Sequence, residues 1–139
     1  MGYDAVFFNN GNDCLLINRA LKENRIILTR DTRIADRKLA KDGALKVVLL
    51  SGDMPLEQLK QLILNLNLDP DYNPFSLCLV CNHPIVEQPP DAIQERVPPF
   101  VFKTQRVFRE CPVCRRVYWR GTHWLAMKRH LAKCLEMKN

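Results

Sequence analysis

Cys78-Leu79-Val80-Cys81-Asn82 and Cys111-Pro112-Val113-Cys114 determine how the second half of this 139-residue chain can fold. Each stretch contains a Cys-x-x-Cys pair, and 29 residues separate the two pairs. A tight turn between two cysteines directs both sulfurs to one point, and four such sulfurs suit tetrahedral zinc. The surrounding region is rich in proline and poor in strand-forming residues, so metal binding would supply much of its folding free energy. We therefore predict a zinc ribbon whose metal ligands are Cys78, Cys81, Cys111 and Cys114.

Disulfide bonds, or simply buried cysteines, are the alternative interpretation of these pairs. No charged-then-apolar leader that would indicate secretion opens the sequence. Its apolar runs, such as residues 47–50, are far too short to span a bilayer. We therefore expect a cytoplasmic protein, in which thiols stay reduced and paired cysteines are typically metal ligands. Cys14, outside the pairs, is predicted to be an ordinary residue on a helix face.

The C-terminal segment offers a second possible ligand set, of the two-Cys, His, Cys type, made of Cys111, Cys114, His130 and Cys134. This set would leave the first Cys-x-x-Cys pair without a role. His130 and Cys134 also fit one face of a C-terminal amphipathic helix. Next to the first pair, His83 could replace a cysteine as a ligand, although we expect it to face solvent in a turn.

The net charge of +6 is distributed unevenly along the chain. Residues 1–74 carry ten basic and ten acidic residues, whereas residues 75–139 carry eleven basic and five acidic ones. Between residues 103 and 133 there are nine basic residues and a single acid, Glu110, and Tyr118, Trp119 and Trp124 are interleaved with them. Basic side chains neutralise phosphates and aromatic faces stack on unpaired bases, so this segment predicts a nucleic-acid surface. A solvated basic surface that aids solubility is the alternative. The candidate contacts are Arg116, Arg120, His123, Trp124, Lys128 and Arg129.

The first 70 residues alternate strand-like and helix-like segments, and a hydrophobic fraction of 47% is sufficient for a core. We predict strands over residues 3–8, 25–29 and 46–50, the last two covered on both faces because they are apolar at successive positions. Each strand precedes a helix, and this order predicts a parallel sheet with right-handed crossovers. The three helices are expected to begin near Asp13, to span residues 32–41, and to start at Asp53 and Pro55. The predicted architecture is an α/β domain over residues 1–70, followed by a small zinc ribbon with a basic C-terminal helix over residues 75–139.

Carboxylates follow the ends of two predicted strands. Asp31 stands just after the second strand, and Asp13 follows the first by a few residues. Parallel sheets bind ligands at the carboxyl ends of their strands, so Asp13 and Asp31 could hold a divalent cation, with Asp36 contributing from the next helical turn. The alternatives are helix caps for Asp13 and Asp31, and an ion pair with Arg33 or Arg37 for Asp36. No glycine-rich phosphate loop or nucleophile elbow occurs, so the sequence does not support an NTPase or a triad hydrolase.

Several stretches that cover essentially the whole chain together resemble the Mut-seven C-terminal ribonuclease domain, a PIN-like nuclease domain followed by a zinc ribbon. They are Gly2-Tyr3-Asp4, Arg25-Ile26-Ile27-Leu28-Thr29-Arg30-Asp31, Pro74-Phe75-Ser76, Cys78-Leu79-Val80-Cys81-Asn82, Arg96-Val97-Pro98-Pro99, Cys111-Pro112-Val113-Cys114 and Val117-Tyr118-Trp119-Arg120-Gly121-Thr122-His123-Trp124.

This resemblance implies a metal-dependent nuclease that acts on RNA. Asp31, Asp13 and Asp36 would be its catalytic carboxylates and would bind Mg²⁺ or Mn²⁺. The resemblance also implies that the zinc ribbon and its basic tail hold a single RNA strand. Phosphate contacts around the carboxylates would come from Arg30, Arg33 and Arg37.

One departure from the family concerns the start of the chain. Relatives begin with a strand that bears an aspartate, and then a helix, before the Gly-Tyr-Asp element, whereas here Met1 immediately precedes it. Either Met1 is an internal methionine and the true start lies upstream, which we favour, or this is a shortened and inactive version. Two non-enzymatic alternatives therefore stay open, a zinc-ribbon protein that binds nucleic acid without cleaving it and a zinc-stabilised protein-interaction module.

Overall fold

The computed structural model describes residues 1–136 of the chain, and for residues 134–136 only the backbone. The chain forms two compact units. The α/β unit is Phe7–Leu68, and the cysteine unit combines Met1–Val6 with the chain from Asp69 onwards. No described helix is long and apolar enough to cross a membrane.

The α/β unit contains one β-α-β arrangement with a helix at each end. In chain order its elements are α1 (Asp13–Glu23), β1 (Ile27–Thr29), α2 (Thr32–Ala35), α3 (Lys38–Lys41), β2 (Val47–Leu49) and α4 (Pro55–Leu66). Strands β1 and β2 pair in parallel, with Ile27 opposite Val47. The mixed α/β class and the parallel pairing are as predicted, and the helices between the two strands provide the crossover connection that a parallel pair needs.

A small apolar core holds the α/β unit together. Ile17 and Ala20 lie three positions apart on α1 and therefore face the same side, where they pack with Ile27, Ile34 and Leu45.

Residues next to the two long helices determine where these helices begin and end. The Asn12 side chain caps the start of α1 by accepting from the N–H of Cys14 and Leu15. Asn24 and Asn67 adopt the left-handed conformation that ends α1 and α4.

The strand predicted over residues 3–8 is absent from the structure. This segment instead contacts the start of the loop at Asp69, within the cysteine unit. The Tyr3 hydroxyl accepts from the N–H of Asp69 at 2.8 Å, and the Tyr3 ring stacks on Tyr72 at 4.7 Å. The Met1 carbonyl accepts from the N–H of Asn73 at 3.0 Å. The prediction was wrong because these contacts to a distant loop, which the local pattern does not reveal, provide partners other than a neighbouring strand.

Two further predictions for the α/β unit need correction. The single helix expected over residues 32–41 is two short helices, because the backbone is extended at Arg37 (ψ 144°). The strands expected to be covered on both faces have exposed residues, with Leu28 45% and Leu49 42% accessible. A parallel pair with a single core cluster leaves part of its apolar surface uncovered, although its sequence resembles that of a fully buried strand.

The cysteine unit contains a three-stranded antiparallel sheet in the order β3-β4-β5. Its elements are β3 (Val86–Gln88), α5 (Pro99–Thr104), β4 (Phe108–Glu110), β5 (Val117–Trp119) and α6 (Thr122–Glu136), with 3-10 turns at Pro90–Ala92 and Gln94–Arg96. Ile93, Val97 and Phe108 form its apolar core, and Trp119 packs against them. Trp119, one of the aromatic residues of the basic segment, therefore contributes to the core.

Glu110, the single acid of the basic segment, is buried beside the second cysteine pair with only 2% of its surface exposed. Arg96 and Arg115 both pair with its carboxylate, at 3.0 Å and 2.7 Å. Arg96 also donates to the Arg115 carbonyl at 2.5 Å. A buried carboxylate needs such partners because its desolvation would otherwise be costly. The three residues thus tie the 3-10 turn at Gln94–Arg96 to the end of β4 and to the segment that follows the second cysteine pair.

We expect Glu110→Gln to lower the free energy of unfolding by about 1–3 kcal/mol, because two charged hydrogen bonds lose their anionic acceptor. The exposure of Arg96 (34%) and Arg115 (69%) keeps the cost below the roughly 3–5 kcal/mol of a fully buried pair. Urea denaturation measures the change. Glu95→Gln, an exposed acid in the same unit, is the matched control and should leave the midpoint unchanged. Equal midpoints for both variants would contradict a stabilising role for Glu110.

Candidate metal centre and carboxylate cluster

The two Cys-x-x-Cys pairs form turns of the same construction. In the first, the N–H of Asn82 donates to the Cys78 carbonyl at 2.9 Å, and in the second the N–H of Arg115 donates to the Cys111 carbonyl at 2.9 Å. Asn82 and Arg115 both have a positive φ, 55° and 62°. The left-handed residue directly after each pair turns the chain back, so that both cysteines of a pair point the same way. Strands β4 and β5 flank the second turn, and the Leu77–Pro84 bridge closes the first.

The four sulfurs of these turns converge on one point. All lie within 4.8 Å of one another, and the Cys78–Cys81, Cys81–Cys111 and Cys78–Cys114 distances are 3.4, 3.4 and 3.6 Å. A disulfide would need about 2.05 Å. Zinc–sulfur bonds of about 2.3 Å place tetrahedral ligands about 3.8 Å apart, close to the observed separations. The cluster fits a structural zinc site, as predicted, and its cysteines are free thiols.

Protonation of the cluster shows why it suits a cation. Burial raises the pKa of Cys78, but backbone N–H donors and the Tyr118 hydroxyl outweigh burial and lower that pKa to about 6. The pKa of Cys111 is also lowered, by backbone N–H donors that outweigh burial. The pKa of Cys81 rises to about 12 because the sulfurs of Cys111 and Cys78 lie so close to it. Four thiolates at this spacing repel one another unless a cation sits between them, which is the chemistry of a zinc site.

Tyr118 supports the cluster from outside, a role that sequence reasoning missed. Its hydroxyl lies 3.0 Å from the Cys78 sulfur and accepts from the N–H of Leu79 at 3.2 Å. Because the oxygen already accepts from Leu79, its proton is available to the sulfur. Burial and the bond to Cys78 raise the pKa of Tyr118 to about 12, so the hydroxyl stays protonated at neutral pH. An aromatic residue in a basic segment suggested base stacking, and no local signal indicated this contact.

Of the alternative ligands, the two histidines, His83 and His130, are not part of the cluster. His83 is exposed, and its ring nitrogen contacts the Cys81 carbonyl at 3.0 Å, as expected of a turn residue. His130 is exposed on α6, whereas the side chain of Cys134 lies outside the described residues. Because Cys111 and Cys114 already converge with the first pair, they do not join His130. Cys14 is exposed on α1, consistent with a residue on a helix face.

The predicted carboxylates lie in the α/β unit, each beside a basic side chain. Asp31 caps α2 by accepting from the N–H of Arg33 at 2.8 Å and pairs with the Arg33 guanidinium at 2.7 Å. Asp13 does not cap α1, because Asn12 does, and it instead pairs with Arg37 at 3.3 Å. Asp36 pairs with Lys41 at 3.3 Å, not with the two arginines that the sequence suggested.

Asp13 and Asp31 share an electrostatic environment. The side-chain hydrogen bond of Arg33 is the main cause that lowers the pKa of Asp31, and the charge of Arg37 lowers it further. The charge of Asp13 in turn contributes to the raised pKa of Arg33, after that of Asp31. The carboxylates of Asp13 and Asp31 and the guanidiniums of Arg33 and Arg37 therefore interact electrostatically. Among the described residues, however, only the cysteine cluster brings three or more potential metal-binding side chains together.

The predicted nucleic-acid contacts fall into two sets. In the α/β unit, Arg33 and Arg37 pair with the carboxylates described above, and Arg30 pairs with Asp53 at 2.6 Å. In the cysteine unit, Arg120 and Lys128 lie over the Trp124 ring. The remaining candidates, Arg116, His123 and Arg129, are exposed.

Comparison with known proteins identifies one family. A family model described as Mut7-C RNAse domain matches residues 1–131 of the chain. No curated protein matches the chain, and neither does any solved structure.

We expect one zinc ion per chain and its loss in Cys111→Ser, because a serine hydroxyl is a poor substitute for a thiolate ligand. The cysteine unit should then unfold first, since its small core depends on the metal. Elemental analysis and thermal unfolding measure both effects. Cys14→Ser is the control, as an exposed cysteine outside the cluster, and should keep its zinc. A well-folded, zinc-free protein would contradict the prediction.

A second prediction concerns Tyr118. We expect Tyr118→Phe to fold and to keep the zinc stoichiometry but to weaken zinc binding by about 10- to 100-fold, the usual effect of removing a hydrogen bond to a metal ligand. Competition with a chromophoric chelator measures the affinity. Tyr72→Phe removes an exposed hydroxyl while preserving the ring that stacks on Tyr3, so its affinity should equal that of the unmodified chain. Equal affinities for both variants would rule out a supporting role for the Tyr118 hydroxyl.

Proposed function

This chain belongs to the Mut7-C RNAse domain family, and we propose that it is a metal-dependent ribonuclease of the PIN-like type whose zinc ribbon holds the RNA. The observation that carries the proposal is the family match over residues 1–131 of 139, which includes both the carboxylates and the cysteine cluster. The parallel β1–β2 pair would belong to the sheet of the PIN-like domain, and the substrate would be a single RNA strand. We further propose that the protein acts in the cytoplasm, where its cysteines stay reduced.

Asp13 and Asp31 are the residues that would hold the catalytic Mg²⁺ or Mn²⁺. Such ions need hard oxygen ligands and are commonly bound by one or two carboxylates together with water and substrate phosphate, so two aspartates fit this requirement. When bound, the cation supplies a metal hydroxide at neutral pH and stabilises negative charge on the phosphate. Asp36, which pairs with Lys41, would contribute as the third carboxylate.

Arg33 and Arg37 would hold the substrate beside these carboxylates. Their guanidiniums are the partners of Asp31 and Asp13, and the Arg33 side chain is 84% exposed. Exposed ion pairs of this kind are worth only about 0–1 kcal/mol, so each arginine can leave its carboxylate when an RNA phosphate arrives. Arg30 is similarly placed, since it pairs with the exposed Asp53. The same side chains that neutralise the carboxylates would thus position the phosphodiester.

The zinc ion that the cysteine cluster fits would be structural. Four protein ligands leave no open position for substrate, which distinguishes such a site from a catalytic zinc site. Cys78, Cys81, Cys111 and Cys114 would hold it, while the Tyr118 hydroxyl and the backbone N–H groups orient the sulfurs. The role of this unit would be to present basic residues to RNA.

A second candidate function is RNA binding without cleavage. One observation favours it, namely that each predicted carboxylate already pairs with a basic side chain, so that a cation must displace Arg33 and Arg37 before it can bind both aspartates. The cysteine cluster would serve either function equally. The two candidate functions therefore differ in whether the protein cleaves RNA and needs Asp31 to do so.

We expect Asp31→Asn to lower the rate at which a labelled single-stranded RNA is cleaved in the presence of Mn²⁺ at least about 100-fold, because a metal ligand is lost. Asparagine caps a helix as well as aspartate does, so α2 should stay intact. The assay follows product formation by gel electrophoresis.

Asp42→Asn is the matched control, because Asp42 is an exposed aspartate at the end of α3. It should retain the full cleavage rate. Equal loss in both variants would argue against catalysis by Asp31. Bound but uncleaved RNA would support the binding protein instead.

A further inference from the structure

Five side chains of the cysteine unit alternate between cations and aromatic rings. We call this group the cation–aromatic stack, and its members in order are Arg109, Phe75, Arg120, Trp124 and Lys128. The guanidinium carbons of Arg109 and Arg120 both lie 5.4 Å from the centre of the Phe75 ring. Arg120 also lies 5.2 Å from the Trp124 ring, and the Lys128 ammonium lies 5.7 Å from it. Each distance is within the roughly 6 Å over which a ring face attracts a cation.

Separate elements of the cysteine unit bring these side chains together. Arg109 comes from β4, Arg120 follows β5, and Trp124 and Lys128 are four positions apart on the same face of α6. Phe75 precedes the first cysteine turn and has a positive φ of 65°, unusual for a large side chain. Its carbonyl accepts from Arg109 at 2.7 Å, which anchors that backbone conformation. The stack therefore depends on the fold of the cysteine unit and not on one flexible segment.

Two of the three cations in the stack are not neutralised. Lys128 pairs with Asp71 at 2.6 Å, but no carboxylate of the described residues forms an ion pair with Arg109 or Arg120. Arg109 is half-buried, and Arg120 is exposed. By contrast, Arg30, Arg33 and Arg37 of the α/β unit each have an aspartate partner. The guanidiniums of the stack are thus available to an external anion.

The arrangement also constrains which part of a nucleic acid can bind. Trp124 contacts Arg120 and Lys128, and Phe75 contacts Arg109 and Arg120, so each ring already interacts with two cations. A base that stacked on either ring would compete with these cations for the ring faces. Phosphate oxygens have no such obstacle, because a guanidinium that rests on a ring still directs N–H donors outwards.

We propose that the cation–aromatic stack binds the phosphate backbone of single-stranded RNA without reading its bases. Arg109 and Arg120 contact phosphates, while Phe75 and Trp124 hold the guanidiniums in place. This inference rests on the proposed function for the identity of the ligand, and it adds two residues, Phe75 and Arg109, that the sequence did not suggest. It also changes the role expected of Trp124 from stacking on a base to positioning a cation.

The test is fluorescence anisotropy of labelled oligo(U) and oligo(A) at several salt concentrations, without added Mg²⁺ or Mn²⁺. We expect Arg120→Gln to weaken binding about three- to tenfold for both RNAs alike, and to reduce the slope of log K against log salt by about 0.7, the value for one lost phosphate contact on a single strand. Phe75→Leu keeps an apolar side chain but removes the ring face, and should weaken binding by a smaller factor with zinc content unchanged.

Arg106→Gln is the matched control, because it removes one exposed arginine outside the stack and should leave affinity unchanged. If Arg106→Gln and Arg120→Gln lowered RNA affinity equally, the effect would depend only on net charge, and the proposal would be overturned. A Trp124→Leu variant that loses oligo(A) much more than oligo(U) would also overturn it, since this outcome indicates base stacking. Binding to polyglutamate but not to RNA would show that the stack recognises an acidic protein instead.

These binding measurements are independent of cleavage, so the two proposals can fail separately. Weaker binding by Arg120→Gln in a protein that does not cleave RNA would support the stack and contradict the nuclease. Unchanged binding by Arg120→Gln in a protein that does cleave RNA would support the nuclease and contradict the stack.

Discussion

Mutual repulsion among four converging sulfurs is the constraint on which the cysteine unit depends. The sulfurs lie within 4.8 Å of one another, and the backbone N–H groups that lower the pKa values of Cys78 and Cys111 favour thiolates there. Without a cation, negative charge on Cys78 and Cys111 opposes ionisation of the remaining cysteines. For this reason the pKa of Cys81 is raised. The strands around the cluster are only three residues long, and the apolar cluster of Ile93, Val97 and Phe108 has three buried members. We therefore expect the stability of such a unit to depend on a metal.

The sequence revealed those features that depend on neighbouring residues. Cysteine spacing is such a feature, because each turn places two sulfurs together through one local hydrogen bond. Helices α1 and α4 are others, since their apolar periodicity and end residues are encoded within one segment. The strand expected over residues 3–8 failed for the opposite reason. Its partners are loop residues about 66 positions away, as in the Tyr3–Asp69 hydrogen bond, and a β-rich composition does not specify what a segment will pair with.

At the candidate sites, residue types were easier to predict than residue roles. Tyr118 and Trp124 both occur in a basic segment, and the same argument about base stacking applied to each. In the structure Tyr118 bonds to Cys78 across 40 positions of sequence, whereas Trp124 contacts two cations. Glu110 looked like a minor exception to the basic composition, yet burial makes it the acceptor for two arginines. Roles of this kind depend on contacts between distant positions, which one sequence does not encode in a readable pattern.

The two units differ in the groups that their arginine side chains contact. The first 74 residues contain equal numbers of acidic and basic residues. In the α/β unit, Arg33 and Arg37 form ion pairs with the two carboxylates that a catalytic cation would need. Such exposed pairs are weak, so an incoming phosphate can compete for the arginines while a cation competes for the aspartates. In the cysteine unit, Arg109 and Arg120 have ring partners instead, and a ring does not cancel their charge. An RNA phosphate could therefore contact the guanidiniums of the cysteine unit without displacing a carboxylate, whereas Arg33 and Arg37 of the α/β unit must first leave theirs.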